Sequence, residues 1–241
     1  MLYLALPAVY IILIYLAAAI GPAVYLMYYI YKHDKVEPEP GKLLWQLVLC
    51  GVLAAFCSIV LETVGIYILD MSPIDPSSKV YIIILAFFVV AVVEEGTKYF
   101  WMHRKVWKNP AFNYRFDAIV YSAFTSLGFA AFENVEYVTS YGLSVAFPRA
   151  ILSIPGHLGF SVMFGYFYGR AKLAYDRGQK QECRANMITG YVSAVAMHGF
   201  YDTCAMIGTG LSTLIFLAFV AVMYVVVIRM VKSESSTDAP V

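Results

Sequence analysis

Several charged side chains lie inside stretches of the sequence that are otherwise almost entirely apolar. Glu94, Glu95 and Lys98 interrupt one such stretch, and Glu133 interrupts another. A charge inside a bilayer costs roughly 2.5–3.5 kcal/mol on insertion scales, so it persists where it faces the protein interior and has a partner. Neighbouring carboxylates in such surroundings can act as a general base on water.

Two histidines extend this set. His198 and Asp202 are four residues apart, so they share one helix face and the carboxylate can orient the imidazole. His157 directly follows Pro155 and Gly156, where we expect a kinked helix. An imidazole can donate a hydrogen bond to a developing oxyanion. The candidate catalytic residues are Glu94, Glu95, Glu133, His198, Asp202, Lys98 and His157.

The composition indicates that these residues lie in a membrane. Of the 241 residues, 61% are hydrophobic and 14% are charged, and the mean hydropathy is +0.70. Soluble domains are about 45–50% apolar and about 25% charged. The net charge of +1 offers no basic surface for nucleic acid, and the four cysteines lack the spacing of a disulfide framework or metal site. We therefore predict a multi-pass protein of the cell membrane.

Seven segments have the roughly 20 mostly apolar residues that a membrane-spanning helix needs. They are Leu4–Tyr31, Leu43–Leu69, Val80–His103, Asp117–Thr139, Pro148–Ala171, Met187–Ile207 and Leu211–Val231. The sequence thus predicts an all-α, polytopic membrane helical bundle in residues 1–231, with its functional core at about 80–207. The tail 232–241 is rich in Ser and Asp, and its composition predicts disorder.

The distribution of basic residues predicts the orientation of these spans. Of the 17 lysines and arginines, 14 flank or fill alternate loops and the tail, only Lys79 and Arg149 fall on the other side, and Lys98 lies inside a span. Because cytoplasmic loops collect Lys and Arg, we predict an outside N-terminus and a cytoplasmic C-terminus. On this basis the candidate residues lie between the midplane and the outer surface. Small residues at four-residue steps, such as Gly165 and Gly169, predict close helix packing.

Three polar motifs follow one another along the chain. Glu94–Lys98 has the pattern EExxK, Phe132–Tyr137 contains a Phe-Glu pair followed by a tyrosine, and His198–Asp202 has the pattern HxxxD. In this order they resemble the PrsW family of intramembrane proteases, over about half of the chain. The related CAAX-type prenyl endopeptidases fit less well, because position 99 is Tyr where their first motif has Arg.

The resemblance implies an endopeptidase that cleaves single-pass membrane proteins, such as anti-sigma factors, near the outer membrane surface. The expected partners are such a substrate and the lipid bilayer, with no nucleic acid, and the expected cofactor is none. We expect Glu94 or Glu95 to act as general base on water, while Lys98 keeps one carboxylate charged. Glu133 would hold the water or transfer its proton.

By the same resemblance, His198 oriented by Asp202 donates to the oxyanion, and His157 could be a second donor. Other readings of the same residues stay open. The Glu and His cluster could instead bind a metal ion in a metal-dependent protease. It could also be the ion pathway of a transporter or part of a non-catalytic scaffold. The sequence assigns no role to Glu62 and Glu136, which also lie in apolar segments.

Overall fold

The computed structural model describes the backbone from Leu2 to Val241 and the side chains from Val9 onward. Its helices are α1 Leu2–His33, α2 Gly41–Asp70, α3 Lys79–Ile84, α4 Val92–Val106, α5 Asp117–Tyr141, α6 Ala146–Ile151, α7 Ser153–Asp176, α8 Lys180–Ile207 and α9 Gly210–Ser236. A π-helical segment, Leu85–Ala91, joins α3 to α4, and a 3-10 turn, Leu143–Val145, precedes α6. The described chain contains no strand, which confirms the all-α prediction.

Among the residues that the structure describes, five helical segments have the length and apolar composition needed to cross a membrane. They are Val9–His33, Gly41–Asp70, Lys79–Val106, Leu143–Asp176 and Gly210–Ser236. The helices α5 and α8 also coincide with predicted spans, but polar residues such as Glu133, Asn134 and Asp202 make them less apolar. Seven spans and their orientation therefore stay predictions, whereas the helices themselves are present.

Helix α5, which is too polar to count among these five, is buried along most of its length. Helix α5 packs against α1, α2 and α7, and α7 packs in turn against α8. Hydroxyl groups of α5 find partners on α7, because Ser122 Oγ donates to Ser161 O (2.8 Å) and Ser126 Oγ donates to His157 O (3.0 Å). Such interhelical hydrogen bonds satisfy polar atoms that lipid cannot.

The small residues of α7 allow a close contact with the start of α5, as their spacing predicts. A Cβ at Gly165 would lie 2.7 Å from Ile119 Cα and 2.8 Å from Ala118 O. A Cβ at Gly169 would lie 2.6 Å from Arg115 O. These separations are too short for a side chain, so the two helices can approach this closely only where glycine is present.

Gly165→Ala is therefore expected to destabilise the protein by about 1–3 kcal/mol, because the added methyl group meets backbone that must move. The matched control is Gly21→Ala in α1, since nothing lies within 4 Å of a Cβ at that position. We expect the control to change stability by less than about 1 kcal/mol. Thermal unfolding of both variants in detergent measures the difference, and equal melting temperatures would contradict the packing described above.

The fifth predicted span is interrupted at a single residue close to Pro155, where the sequence predicts a kink. Helix α6 ends at Ile151 and α7 begins at Ser153, with Leu152 between them at φ −107°. Pro155 lies in the first turn of α7, where its missing N–H is tolerated. The short helix α6, before this interruption, carries Arg149.

The C-terminal residues also differ from the disorder that their composition predicts. Helix α9 continues to Ser236, and the residues after it run beside the segment that precedes α5. The Arg115 N–H donates to Ala239 O (3.1 Å), and the Val241 N–H donates to Asn113 O (2.9 Å). Composition did not reveal this order because it comes from backbone hydrogen bonds to a distant loop.

Candidate active site

An open cavity of about 660 Å³ lies among α2, α4, α5, α7 and α8, with α6 and α9 at its edge. Its charged and imidazole side chains are Glu62, Glu94, Glu133, Glu136, Arg149, His157, His198 and Asp202. Five of the seven predicted site residues are among them. The other two, Glu95 and Lys98, are 6% and 5% exposed and lie behind the cavity wall. The structure thus brings all seven into one region.

The ammonium group of Lys98 joins the residues of the first motif to α7. Its Nζ donates to Glu94 Oε2 (2.9 Å), to Glu95 Oε1 (2.9 Å) and to His157 Nδ1 (3.2 Å). It also lies 4.0 Å from the centre of the Phe129 ring. Two buried carboxylates share this one cation, so the first motif carries its own counter-charge.

The contacts of His157 define its tautomer. Because Lys98 can only donate, His157 Nδ1 must accept, and the ring proton is therefore on Nε2. His157 Nε2 lies 3.0 Å from Glu133 Oε2 and donates to it. A neutral histidine thus links the lysine of α4 to the glutamate of α5.

The contacts of His198 indicate a charged ring. Its Nδ1 lies 2.8 Å from Glu95 Oε1, and its Nε2 lies 3.3 Å from Asp202 Oδ2. With a carboxylate at each nitrogen, both nitrogens donate, and the ring is an imidazolium. Glu95 therefore bridges Lys98 and His198, while the longer contact to Asp202 lies on the cavity side. The sequence predicts the pairing with Asp202 but not the shorter contact with Glu95.

A π-helical segment sets the position of the two adjacent glutamates. It ends at Ala91, directly before the turn of α4 that carries Glu94 and Glu95. Tyr191 of α8 donates its hydroxyl hydrogen to Val92 O (2.8 Å), which provides a partner for a backbone carbonyl at this junction. Such wide turns are frequent at functional sites. No sequence pattern used above would have revealed this one.

Arg149 is a site residue that the sequence marked only as one of two basic residues on the predicted outer side. Its Nη2 lies 3.0 Å from Glu133 Oε2, and its Nε donates to Asn134 Oδ1 (2.7 Å). The guanidinium carbon lies 3.8 Å from the centre of the Tyr137 ring. The sequence offers one indication of its importance. Basic residues are rare on the predicted outer side, where Lys79 is the only other one.

Arg149→Met is expected to lower the cleavage rate about tenfold to a hundredfold, because Glu133 loses a charged partner that is 13% exposed. Lys79→Met is the matched control, since Lys79 is exposed and outside the cavity. Initial rates on one membrane substrate measure both effects. Full activity of the Arg149 variant would show that Glu133 needs no such partner.

Glu62 and Glu136 line the same cavity, from α2 and α5 respectively. Glu62 Oε1 is buried without a hydrogen-bond partner, and neither side chain belongs to an ion pair among the described residues. They enlarge the acidic surface of the cavity but stand apart from the network around Lys98.

The donor atoms that best match a metal site already contact the ammonium group of Lys98. Atoms of Glu94, Glu95 and His157 lie within 4.8 Å of one another, and carboxylates with imidazole are ligands that Zn²⁺ accepts. However, Lys98 Nζ lies 2.9–3.2 Å from one donor atom of each of the three. In this arrangement the three residues bind the ammonium group of Lys98, and they do not fit a metal ion in addition to it.

Comparisons with known proteins agree with the motifs. Residues 39–230 match a family model described as PrsW family intramembrane metalloprotease. The chain is 33% identical to Protease PrsW of Geobacillus kaustophilus over 187 residues, which is 78% of this chain and 77% of that protein. It is 31% identical to Protease PrsW of Oceanobacillus iheyensis over 217 residues, which is 90% of this chain and 94% of that protein.

A third relative, Protease PrsW of Bacillus subtilis, is 27% identical over 187 residues, 78% of this chain and 80% of that protein. No solved structure matches the chain significantly. The resemblance predicted from the motifs is confirmed. Together with the five apolar helices, these matches also confirm a multi-pass membrane protein.

Proposed function

The chain belongs to the PrsW family of intramembrane proteases, and we propose that it cleaves single-pass membrane proteins with Glu94 as the general base. Relatives named as proteases support a peptidase. The observation that carries the finer proposal is the position of Glu94, which is the one member of the Glu94–Glu95 pair that lines the cavity. Glu95 lies behind it as a positioning residue for Lys98 and His198.

Two carboxylates reach the cavity with complementary tasks. Glu94 has one oxygen on Lys98, and Glu133 has one oxygen shared by His157 and Arg149. Each keeps a second oxygen for water. Glu94 takes a proton from the water as the water oxygen bonds to the substrate carbonyl carbon, and Glu133 holds that water in place. When the C–N bond breaks, Glu94 returns the proton to the leaving amine.

The oxyanion of the tetrahedral intermediate needs a donor on the opposite side. His198 supplies it through Nε2, whose contact to Asp202 is the longer of its two contacts. A charged donor that is 3% exposed stabilises developing negative charge more strongly than it would in water. Glu95 keeps the ring oriented from Nδ1.

The cavity also suits an apolar peptide. Beyond its charged groups it is lined by apolar side chains from several helices, including Ile59, Phe132 and Leu152. In the orientation expected from the basic residues, it opens toward the outer half of the membrane. This arrangement supports cleavage of a single-pass protein, such as an anti-sigma factor, near the outer surface.

A metal-dependent mechanism is the second candidate, favoured by the description of the family model and by the three clustered donors. Purified protein reconstituted in liposomes and treated with EDTA and 1,10-phenanthroline distinguishes the two mechanisms. We expect the cleavage rate to stay within about twofold of the untreated rate, and metal analysis to find less than one equivalent of zinc at the active site. Loss of activity that Zn²⁺ restores would contradict the glutamate mechanism.

A further inference from the structure

Glu62 is a carboxylate in the active-site cavity that the proposed mechanism does not use. It lies on the face of α2 that lines the cavity, and it is partly buried. Its Oε1 atom is buried without a hydrogen-bond partner. Buried polar atoms in folded proteins almost always have a partner, so an unpaired one indicates a ligand group or a water molecule. In a cavity that admits a peptide, the ligand group can come from that peptide.

The polar side chains within one turn of Glu62 on α2 are already paired. Ser58 forms a hydrogen bond with Thr97 of α4, with 2.8 Å between the hydroxyl oxygens. Thr63 donates its hydroxyl hydrogen to Ile59 O (2.6 Å) in the preceding turn of α2. Its own helix therefore leaves the carboxylate of Glu62 without a partner.

The cationic side chains of the site are also paired with other carboxylates. Lys98, His198 and Arg149 each contact at least one carboxylate, and none of them contacts Glu62. Among the described residues, Glu62 and Glu136 are the cavity carboxylates that belong to no ion pair. Glu136 is exposed and can be solvated by water, whereas one oxygen of Glu62 is shielded from it. Glu62 is thus the carboxylate of the cavity that most needs a cation from outside.

A metal ion does not explain this carboxylate. In the part of the chain that the structure describes, the donor atoms close enough to share one ion belong to Glu94, Glu95 and His157, and Glu62 is not among them. Catalytic zinc takes three protein ligands. A lysine or arginine side chain needs only one carboxylate, with which it forms a charge-assisted hydrogen bond.

The position of Glu62 suits a basic side chain that belongs to a bound peptide. Glu62 lies close enough to Glu94 and Glu133 for their charges to interact, so a cation at Glu62 would be near the catalytic carboxylates. Ile59 and Ile66, one turn to either side on α2, also line the cavity. Their apolar surface can pack against the aliphatic stem of a lysine or arginine whose charged end reaches the carboxylate.

We propose, on the basis of the peptidase function above, that Glu62 is a specificity-determining residue that binds a lysine or arginine side chain of the substrate next to the scissile bond. Glu62 is eight residues before the end of α2, or about 12 Å along the helix. In the expected orientation that end is the outer one, where transmembrane segments carry fewer basic residues than at the cytoplasmic end. A basic residue at this position would therefore distinguish a substrate from most single-pass proteins.

The test uses the full chain in liposomes with a library of synthetic single-pass peptides. Each peptide has the same segment of about 20 leucines and alanines, which spans the bilayer, followed by about ten randomised residues. The products are sequenced by mass spectrometry. Because close charge pairs at binding interfaces are coupled by enough to change affinity tenfold, we expect about tenfold or greater enrichment of Lys and Arg near the new ends. The window is about four residues, or roughly 13 Å of extended chain.

Variants assign the preference to one carboxylate. Glu62→Gln keeps the shape of the side chain and should lose the enrichment. For two peptides that differ only by Lys or Met at the selected position, the ratio of their kcat/KM values should fall about tenfold in this variant, through KM rather than kcat. A purely structural role would lower both peptides alike and leave the ratio unchanged. Glu136→Gln is the matched control, a carboxylate of the same cavity, and should keep the enrichment.

A binding experiment keeps the test independent of cleavage. The same library is incubated with Glu94→Gln, which is expected to leave it intact, and with the double variant that also carries Glu62→Gln. Peptides that stay bound to the purified protein are then sequenced. We expect enrichment of Lys and Arg with the first protein and its loss with the second. If this result were found while the wild type cleaved no peptide, the proposed peptidase function would fail and the binding role of Glu62 would stand.

Three results would overturn the role of Glu62. One is cleavage by the wild type with no preference for Lys or Arg. Another is a preference of the same size in the wild type and in Glu62→Gln, in either the cleavage or the binding experiment. The third is an equal loss of preference in Glu62→Gln and Glu136→Gln, which would assign it to the total charge of the cavity.

Discussion

Glu94→Gln is expected to abolish cleavage, with a loss of at least about a thousandfold in rate. Glutamine keeps the shape of the side chain and can still accept the hydrogen bond from Lys98, but it cannot take a proton from water. The cavity, the lysine network and the fold should therefore persist. Initial rates on a reconstituted single-pass substrate measure the loss, and an unchanged melting temperature shows that the variant is folded.

Glu136→Gln is the matched control, because Glu136 lines the same cavity but makes no contact with the Lys98 network. We expect this control to keep most of its activity. If Glu94→Gln cleaves as fast as Glu136→Gln, the general base lies elsewhere, and Glu133 becomes the next candidate because it also reaches the cavity.

Lys98→Met is expected to lower both stability and activity. The change leaves Glu94 and Glu95, which are each 6% exposed, without their shared cation. Removing one partner of a buried ion pair costs about 3–5 kcal/mol. It also removes the donor that fixes the tautomer of His157, so the link to Glu133 is lost. We expect a large fall in melting temperature and no detectable cleavage.

Lys172→Met is the control for Lys98→Met. Lys172 also pairs with a carboxylate four residues away, but its partner Asp176 is 33% exposed. Pairs near the surface contribute about 0–1 kcal/mol, so this control should unfold near the wild-type temperature. Similar destabilisation in both variants would mean that Lys98 is not the central cation of the site.

Much of the site could be predicted because charged residues are rare within membrane-spanning segments. Glu94, Glu95, Lys98 and Glu133 stand out in an apolar sequence, and the four-residue spacing of Glu94 and Lys98 already predicts their contact. The small residues at four-residue steps, such as Gly165 and Gly169, likewise predict a helix contact from local spacing alone. These features depend on residues a turn apart, which a sequence displays directly.

The remainder depends on contacts between distant parts of the chain. Arg149 and Glu133 lie on different helices and meet only in the folded structure, and Glu95 reaches His198 only through the packing of α4 against α8. The order of the tail likewise comes from hydrogen bonds to the segment before α5. Single-sequence spacing contains no information about such pairings.

The geometry also divides roles that the sequence leaves equal. Two adjacent glutamates are chemically identical in the motif, yet one lines the cavity while the other lies between Lys98 and His198. The difference arises from a helical turn of about 100° between neighbours, combined with the π-helical segment before them. We therefore expect loss of the carboxyl group at position 94 to lower the cleavage rate far more than loss of a carboxyl group at the edge of the cavity.

The most direct test of the account is mass spectrometry of the products formed from a single-pass membrane protein in metal-depleted proteoliposomes. The wild type is predicted to yield two fragments whose new ends lie in the outer half of the transmembrane segment or just beyond it. Glu94→Gln, assayed in parallel, is predicted to leave the substrate intact. The glutamate mechanism is contradicted if the variant yields the same fragments at the same rate, or if the wild type cleaves only after a metal ion is restored.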